Sequence, residues 1–326
     1  MDNSMRIPRW PLFGLVDTLA AIASQACADE FPSRTVRVLV PYAAGGPSDT
    51  GARLLSVPFG KALGSSVIVE NRGGAGGLTG TEQVLQAEPD GYTVLLGAVG
   101  PLVYIPVSRT VQYSVKADLI PLGLIWQSPL VLVINPKRGI KSVAEFVAYA
   151  KANPGKLSVS SAGLGTNTHM ASELFKHEAG IDLLHVPYRG TGAALPDLLS
   201  GQIDATISDV AVMAPLIREG KLIPLAVTAP QRSALLPDVP TMAEGGLPGA
   251  QTENWYGLLV RTQTPAPVVA KLKSALSEAV AAPEFRAGLA IQGAVIREPG
   301  TDAFAALIES ETKRWTPIIR DNNIKF

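Results

Sequence analysis

The chain has a single cysteine, Cys27, and three histidines among 326 residues. One cysteine cannot build an internal disulfide framework. The histidines, His169, His177 and His185, stand eight residues apart and lack any zinc-ligand spacing. Charge of one sign is also missing, because 28 basic residues balance 28 acidic ones and no basic run occurs. That excludes nucleic acid or an anionic membrane surface as the main partner, since both need clustered positive charge. Past the N-terminal region no stretch reaches the ~20 apolar residues of a spanning helix. Nucleotide and nucleophile signatures are absent as well. There is no GxxxxGK[ST] and no GxSxG, and GGAGGLTG at 73–80 places its third glycine one position late for GxGxxG. No acid pair and no base–nucleophile pair stands out. The expectation is a protein that binds without catalysing, with no cofactor and no metal.

What is present begins with an average apolar content and a low charged content, the composition of a folded globular chain long enough for two ordinary domains. At the N-terminus Arg6 and Arg9 precede an apolar stretch to about Ala23, and Ala26-Cys27-Ala28 has the small-x-small form of a secretory cleavage site. Residues 1–28 therefore read as a signal peptide, and the mature chain as a cysteine-free periplasmic protein. Asp17 inside the apolar stretch keeps two other readings open, an amphipathic N-terminal helix of a cytosolic protein and a lipid anchor on Cys27.

The remainder says one thing twice. VRVLVP at 36–41 is a buried strand, 48–63 a helix that Pro58 should break or kink, VIVE at 67–70 a strand, NRGGAGG a loop, 79–87 a helix, and YTVLL at 92–96 a third strand. From LSVS at 157–160 the same order returns: SAGLGTNTHMASELF (glycine loop into helix), the strand LLHVP at 183–187, YRGTG, the helix 193–199, and the strand IDATI at 203–207. Any two α/β stretches share some of this, but the matched Asn71-Arg72-Gly73 and Tyr188-Arg189-Gly190 favour two related lobes. Alternation of strand and helix gives right-handed crossovers and a mainly parallel sheet. Two further strands, 131–135 and 255–261, are placed to cross between lobes. Lobe one is then 29–134 plus 256–326, and lobe two 135–255. The tail 265–321 is helical, and Phe304, Leu307, Ile308, Glu311, Trp315 and Ile318 form its core-facing stripe.

Each glycine loop runs into a helix led by polar residues: Ser48, Asp49 and Thr50 after Gly45 and Gly46, and Thr166, Asn167, Thr168 and His169 after Gly163 and Gly165. Each loop alone is compatible with a plain tight turn. As a pair they suggest more, because a helix N-terminus offers unpaired N–H groups and partial positive charge to an anion. Two such ends facing across a cleft would clamp one small anion. His169 sits where it could touch a ligand, His177 reads as a solvated helix end, and His185 reads as a satisfied core or edge histidine.

VPYAAGGPSDTGAR, VENRGGAGGLTGTE, EPDGYTVLLG, SAGLGTNTHMASELF, HVPYRGTGAALPDLLSGQIDA, EGKLIPLAVTAPQRSALLPDVPTMAEGGLPG and NWYGLLV together resemble the Bug family, extracytoplasmic solute receptors of tripartite tricarboxylate transporters. The resemblance spans the mature chain. It implies a type II periplasmic binding protein fold, with two α/β lobes, a two-strand hinge and a ligand in the interlobe cleft. It implies a small carboxylate ligand, an organic acid or amino acid, delivered to a permease of one large and one small subunit by a monomeric receptor. The implied ligand-binding residues are Tyr42, Ala43, Gly45, Gly46, Ser48, Asp49, Ser161, Gly163, Gly165, Thr166, His169, Tyr188, Arg189 and Asp209, with GAVG at 97–100 on the floor of lobe one. A sensor for a signalling partner, or an enzyme on the same fold, are the alternatives. Two stretches depart from the family pattern: ATISD, ending in Ser208 and Asp209, and 101–120. Asp209 near a cleft would repel a second carboxylate unless it met a ligand ammonium, so an amino acid or monocarboxylate is expected over citrate.

Overall fold

The protein is described here by a computed structural model over residues 30–322 and 324–326; the expected signal peptide lies outside the described residues. β1 (Val36–Val40), α1 (Pro47–Leu63), β2 (Val67–Asn71), α2 (Leu78–Gln86) and β3 (Thr93–Ala98) come first. The three strands lie parallel in the order β2-β1-β3. A helical turn over Gly100–Tyr104 leads into α3 (Ile105–Ser108), followed by α4 (Val115–Asp118), β4 (Leu119–Ile134) and α5 (Val143–Ala152). Then come β5 (Ser158–Ser161), α6 (Asn167–Ala179), β6 (Leu184–Pro187), α7 (Thr191–Ser200) and β7 (Ala205–Asp209). These strands are again parallel and in the order β6-β5-β7. The two halves therefore share a strand order, as the duplicated pattern in the chain implies. The remaining elements are α8 (Val210–Arg218), β8 (Ile223–Val227), β9 (Glu253–Arg261), α9 (Ala266–Ala281), α10 (Pro283–Ile291), β10 (Val295–Ile296) and α11 (Thr301–Asp321).

The parallel strands at the centre of each half, β1 and β5, are largely buried because helices cover both faces, although β5 reads Ser-Val-Ser-Ser. In the first half Phe59 of α1, Leu272 and Leu276 of α9 and Phe285 of α10 close over one face. Tyr104, Trp255 and the α11 residues Phe304 and Trp315 fill the other. Phe146 of α5 and Phe175 of α6 meet edge to face in the second half, at 5.5 Å. The expected stripe of α11 is core-facing: Phe304, Ile308 and Trp315 are buried and Leu307 and Ile318 partly so.

Two expectations need correction. α1 runs unbroken through Pro58, with Leu55, Pro58 and Phe59 all buried. Burying that face against β1 and α9 outweighs the ~3 kcal/mol that an interior proline costs. The expected strand 131–135 is only the end of β4, which has 16 residues. β4 also carries Pro121 and Pro129, and Pro121 adjoins a register shift, where a missing N–H is tolerated.

β4 and β9 join the halves. β4 pairs antiparallel with β9 from Leu119 to Pro129, and with β7 and β8 from Leu130 to Ile134. Trp126 stacks on Tyr256, its partner across these strands, at 4.8 Å. The fold is thus the expected one, two α/β lobes joined by two crossing strands with a cleft between them.

Candidate ligand-binding site

The first glycine loop is held from beneath. Gly45 takes a positive φ of 85° and its N–H donates to Asp49 Oδ2 at 2.9 Å. Asp49 Oδ1 pairs with Arg53 at 3.0 Å, Arg53 donates to Asn71 Oδ1 at 3.2 Å, and Asn71 donates to the Tyr42 carbonyl at 3.2 Å. Ser48, Asp49 and Thr50 are not the helix cap that they resemble. Gly46 is the N-cap, Pro47 opens the helix, and no side chain caps it. Burial pushes the Asp49 carboxyl up, but the Gly45 N–H, Arg53 and Asn71 together hold it below the ordinary carboxylate value. An ionised side chain therefore already occupies the first turn of α1 and offsets part of its positive end.

The second loop has no such anion. Thr166 caps α6, accepting from the His169 N–H at 3.4 Å, and the first turn carries no acid. The Thr166 hydroxyl donates to the Gly163 carbonyl at 2.6 Å, and Thr168 Oγ1 accepts the Ala162 N–H at 2.8 Å. Behind the loop, His185 Nε2 lies 2.7 Å from Ser161 Oγ, and the His185 ring stacks on His169 at 4.3 Å. Burial, then His185 and Lys176, lower the His169 pKa to about 3, and burial and Lys176 lower that of His185 to about 4. Both imidazoles are neutral at pH 7.

The lobes meet above Gly100. A Cβ on Gly100 would stand 2.9 Å from both the Gly76 carbonyl and the Tyr42 hydroxyl, and 3.0 Å from the Gly165 carbonyl. Only glycine allows that convergence of three loops. Nearby, Tyr104 donates to Asn167 Oδ1 at 2.6 Å, joining the first half to the N-terminus of α6. Beside the crossing strands, Pro47, Trp126, Ser128 and Asp209 line a narrow crevice. Asp209 is 5 % exposed and accepts from Asn254 Nδ2 at 3.1 Å. Burial pushes its carboxyl up to about 6 against the pull of that amide. Burial raises the Tyr42 hydroxyl, and Tyr113 and the charge of Asp209 push the same way.

The fourteen expected residues therefore fall into groups. Tyr42 and Gly165 meet at Gly100, and Asp209 acts on Tyr42 from the crevice side. Ser161, Gly163, Thr166 and His169 form one bonded loop. Gly45, Gly46, Ser48 and Asp49 form the start of α1, with Ala43 exposed beside them. Tyr188 backs the second loop, donating its N–H to the Ser161 carbonyl at 3.0 Å. Its hydroxyl is spent on Asp197 at 2.5 Å, a bond that raises its pKa to about 12. Arg189 is exposed and makes no ion pair among the described residues. Sequence reasoning gave no site role to Asn71, Gly76, Asn254 or Tyr104, and it left His185 as a satisfied core or edge histidine. Asn71 stands beside the repeated Arg-Gly, at Arg72-Gly73 and Arg189-Gly190; the others have no local signature.

A family model for the tripartite tricarboxylate transporter family receptor matches residues 52–324. The chain belongs to this family. BugT of Bordetella pertussis is 35% identical over 319 residues, 97% of each chain. Among solved structures, MatC of Rhodopseudomonas palustris with bound malate has a TM-score of 0.82 at 35% identity, covering 89% of this receptor and all of MatC. R. palustris Rpa4515 with adipate has a TM-score of 0.84 at 30% identity, covering 91% and 99%. Among the described residues of the receptor, no helix is long and apolar enough to cross a membrane, and no cluster of three metal-ligating side chains occurs.

Proposed function

We propose that this receptor works in the periplasm, exported by a signal peptide over 1–28, and binds one small carboxylate between its lobes for delivery to a two-subunit permease. It acts as a monomer and performs no catalysis. The observation that carries this reading is the convergence of loops from both lobes on Gly100, beside a helix end, that of α6, with no acid in its first turn. An anion there meets the partial positive charge of the helix end with no acid of the first turn competing for it. The malate and adipate in the two relatives point the same way. Lobe one at 29–134 plus 256–326 and lobe two at 135–255 belong to this reading; the change of partner along β4 moves the first crossing to Pro129–Leu130.

The binding set comprises both glycine loops with Tyr42, Ser161, Thr166 and His169, and Asp209 at the far end. Arg189 contributes only if it swings in from its exposed position. Micromolar affinity is about −8 kcal/mol, and several hydrogen bonds to a charged group at roughly 1.5–3 kcal/mol each reach that after association costs. Asp209, single-partnered and buried, disfavours a second carboxylate and favours a ligand with an ammonium or an apolar end.

The test is calorimetric titration of the purified mature protein with malate, adipate, glutamate and benzoate, after a thermal-shift screen. Binding of one or more at micromolar Kd, weakened by Ser161→Ala and by Thr166→Val, supports the reading. Binding that both substitutions leave intact places the ligand elsewhere and defeats it.

A further inference from the structure

His185 has no assigned role, and its contact with Ser161 has a consequence for what the site can accept. Ser161 Oγ carries one proton and two lone pairs. The Gly163 N–H, which can only donate, fills one lone pair at 3.2 Å. His185 Nε2 stands 2.7 Å away and is neutral, so it either gives a proton to the hydroxyl or takes one from it.

If Nε2 carries the proton, both lone pairs of Ser161 are filled and the hydroxyl proton must point elsewhere. Its one acceptor within the loop, the Gly163 carbonyl, is 3.4 Å away and already receives Thr166 at 2.6 Å. Ser161 is then a committed donor, suited to a carboxylate oxygen. If the proton is on Nδ1, Ser161 gives its own proton to Nε2 and turns a lone pair to the ligand, which suits an ammonium and repels a carboxylate.

The neighbouring ring favours a fixed arrangement. The Gly165 N–H donates to His169 Nδ1 at 3.4 Å, so His169 keeps its proton on Nε2, and the His185 ring is held against it at an interplanar angle of 25°. The Nε2–H form is also the tautomer that a solvated neutral histidine side chain prefers.

We propose that His185 is a positioning residue, whose Nε2–H donates to Ser161 and commits that hydroxyl to donate to a ligand carboxylate. The proposal deepens the carboxylate reading of the same site and rests on it for the ligand. The tautomer itself does not depend on that reading.

Two measurements decide. Nitrogen-15 NMR of the ligand-free protein at pH 7, with His185 assigned through its loss in His185→Gln, is expected to show Nε2 protonated and Nδ1 bare; the reverse overturns the proposal. Titration with the best ligand of the malate, adipate, glutamate and benzoate set then compares five proteins. His185→Phe is expected to weaken binding about tenfold or more, as loss of one oriented bond to a charge does. His185→Gln, which keeps an N–H donor at the same reach, recovers most of that loss. Ser161→Ala weakens binding comparably, and Ser161→Ala with His185→Phe is no weaker than Ser161→Ala alone. A purely structural role would make the two losses add and leave Gln no better than Phe, and either result overturns the proposal. If His185→Phe fails to fold, the NMR result and the Gln variant still decide. If the wild type binds none of the four ligands, the function reading falls while the tautomer still tests the placement of the His185 proton.

Discussion

Asp209 and the stacked histidines set opposite slopes of stability against pH. Asp209 has a folded pKa of about 6, above the ordinary 3.8, so the folded state holds its proton more tightly. The stability this gives is complete below pH 3.8 and lost as pH rises through about 6, on the order of 3 kcal/mol for a group this buried. Asp209→Asn should thus melt several degrees above wild type at pH 8 and level with it at pH 4. A difference that stays constant over that range would mean the carboxyl does not titrate as described. The same variant should shift ligand preference toward di- and tricarboxylates, and an unchanged ligand profile counts against Asp209 facing the ligand. His169 and His185 act the other way. Their folded pKa values of about 3 and about 4 lie below the ordinary 6.5, so the unfolded chain takes up their protons first. Stability is full above pH 6.5 and falls as pH drops toward 4. His169→Gln is expected to flatten this acid limb in melts from pH 7 to 4, and a limb as steep as wild type would assign it to other groups.

At the scale of elements, the glycine at position 100 matters more than those at 45 and 46, which occupy the start of α1. A Cβ on Gly100 would stand 2.9 Å from the Gly76 carbonyl and the Tyr42 hydroxyl of lobe one and 3.0 Å from the Gly165 carbonyl of lobe two, and the two carbonyls are backbone that cannot swing aside. Overpacking of this kind costs roughly 1–3 kcal/mol. Because the crowded atoms come from both lobes, Gly100→Ala is expected to hold the lobes apart, weakening ligand binding about tenfold or more while leaving far-ultraviolet circular dichroism unchanged. Undiminished affinity would mean that the loops need not meet at Gly100. Much of this level was legible in the chain. The β2-β1-β3 and β6-β5-β7 units show as short apolar runs, and the glycine loops as breaks before polar helix starts. The first part of β4 is less legible, because its pairing is with β9, more than 120 residues further along the chain. His185 reads correctly as a satisfied edge histidine, but its partner, Ser161, lies 24 residues away on a neighbouring strand, and no periodicity reports such a pairing. The contact of Asn254 with Asp209, and the approach of Gly165 to Gly100, are hidden for the same reason: they are set by how the lobes dock.

For the whole molecule the question is what holds the two lobes together. Beyond the crossing strands β4 and β9, Tyr104 bonds Asn167, Arg314 donates to the Gln251 carbonyl, and His177 reaches Asn322 at 3.2 Å. The Phe326 ring meets His169 edge to face at 5.5 Å and lies 3.3 Å from where a Cβ on Gly165 would stand. Met170 and Leu174 of α6 share one buried cluster with Trp315 and Ile319 of α11. These contacts stabilise the described arrangement of the lobes in addition to anything a ligand contributes, so weakening them is expected to shift the balance toward a more open one. Tyr104→Phe removes one buried hydrogen bond and leaves Asn167 Oδ1 unpaired, a loss of about 1–3 kcal/mol. Phe326→Ala removes the ring that rests on the second loop. Small-angle scattering of the ligand-free double variant is expected to show a larger radius of gyration than wild type. Saturating ligand should return both proteins to the same value, at an apparent Kd raised about fivefold or more in the variant. Identical ligand-free scattering curves would mean that closure depends on β4 and β9 alone, and that the contacts along α6 and α11 follow the lobes passively.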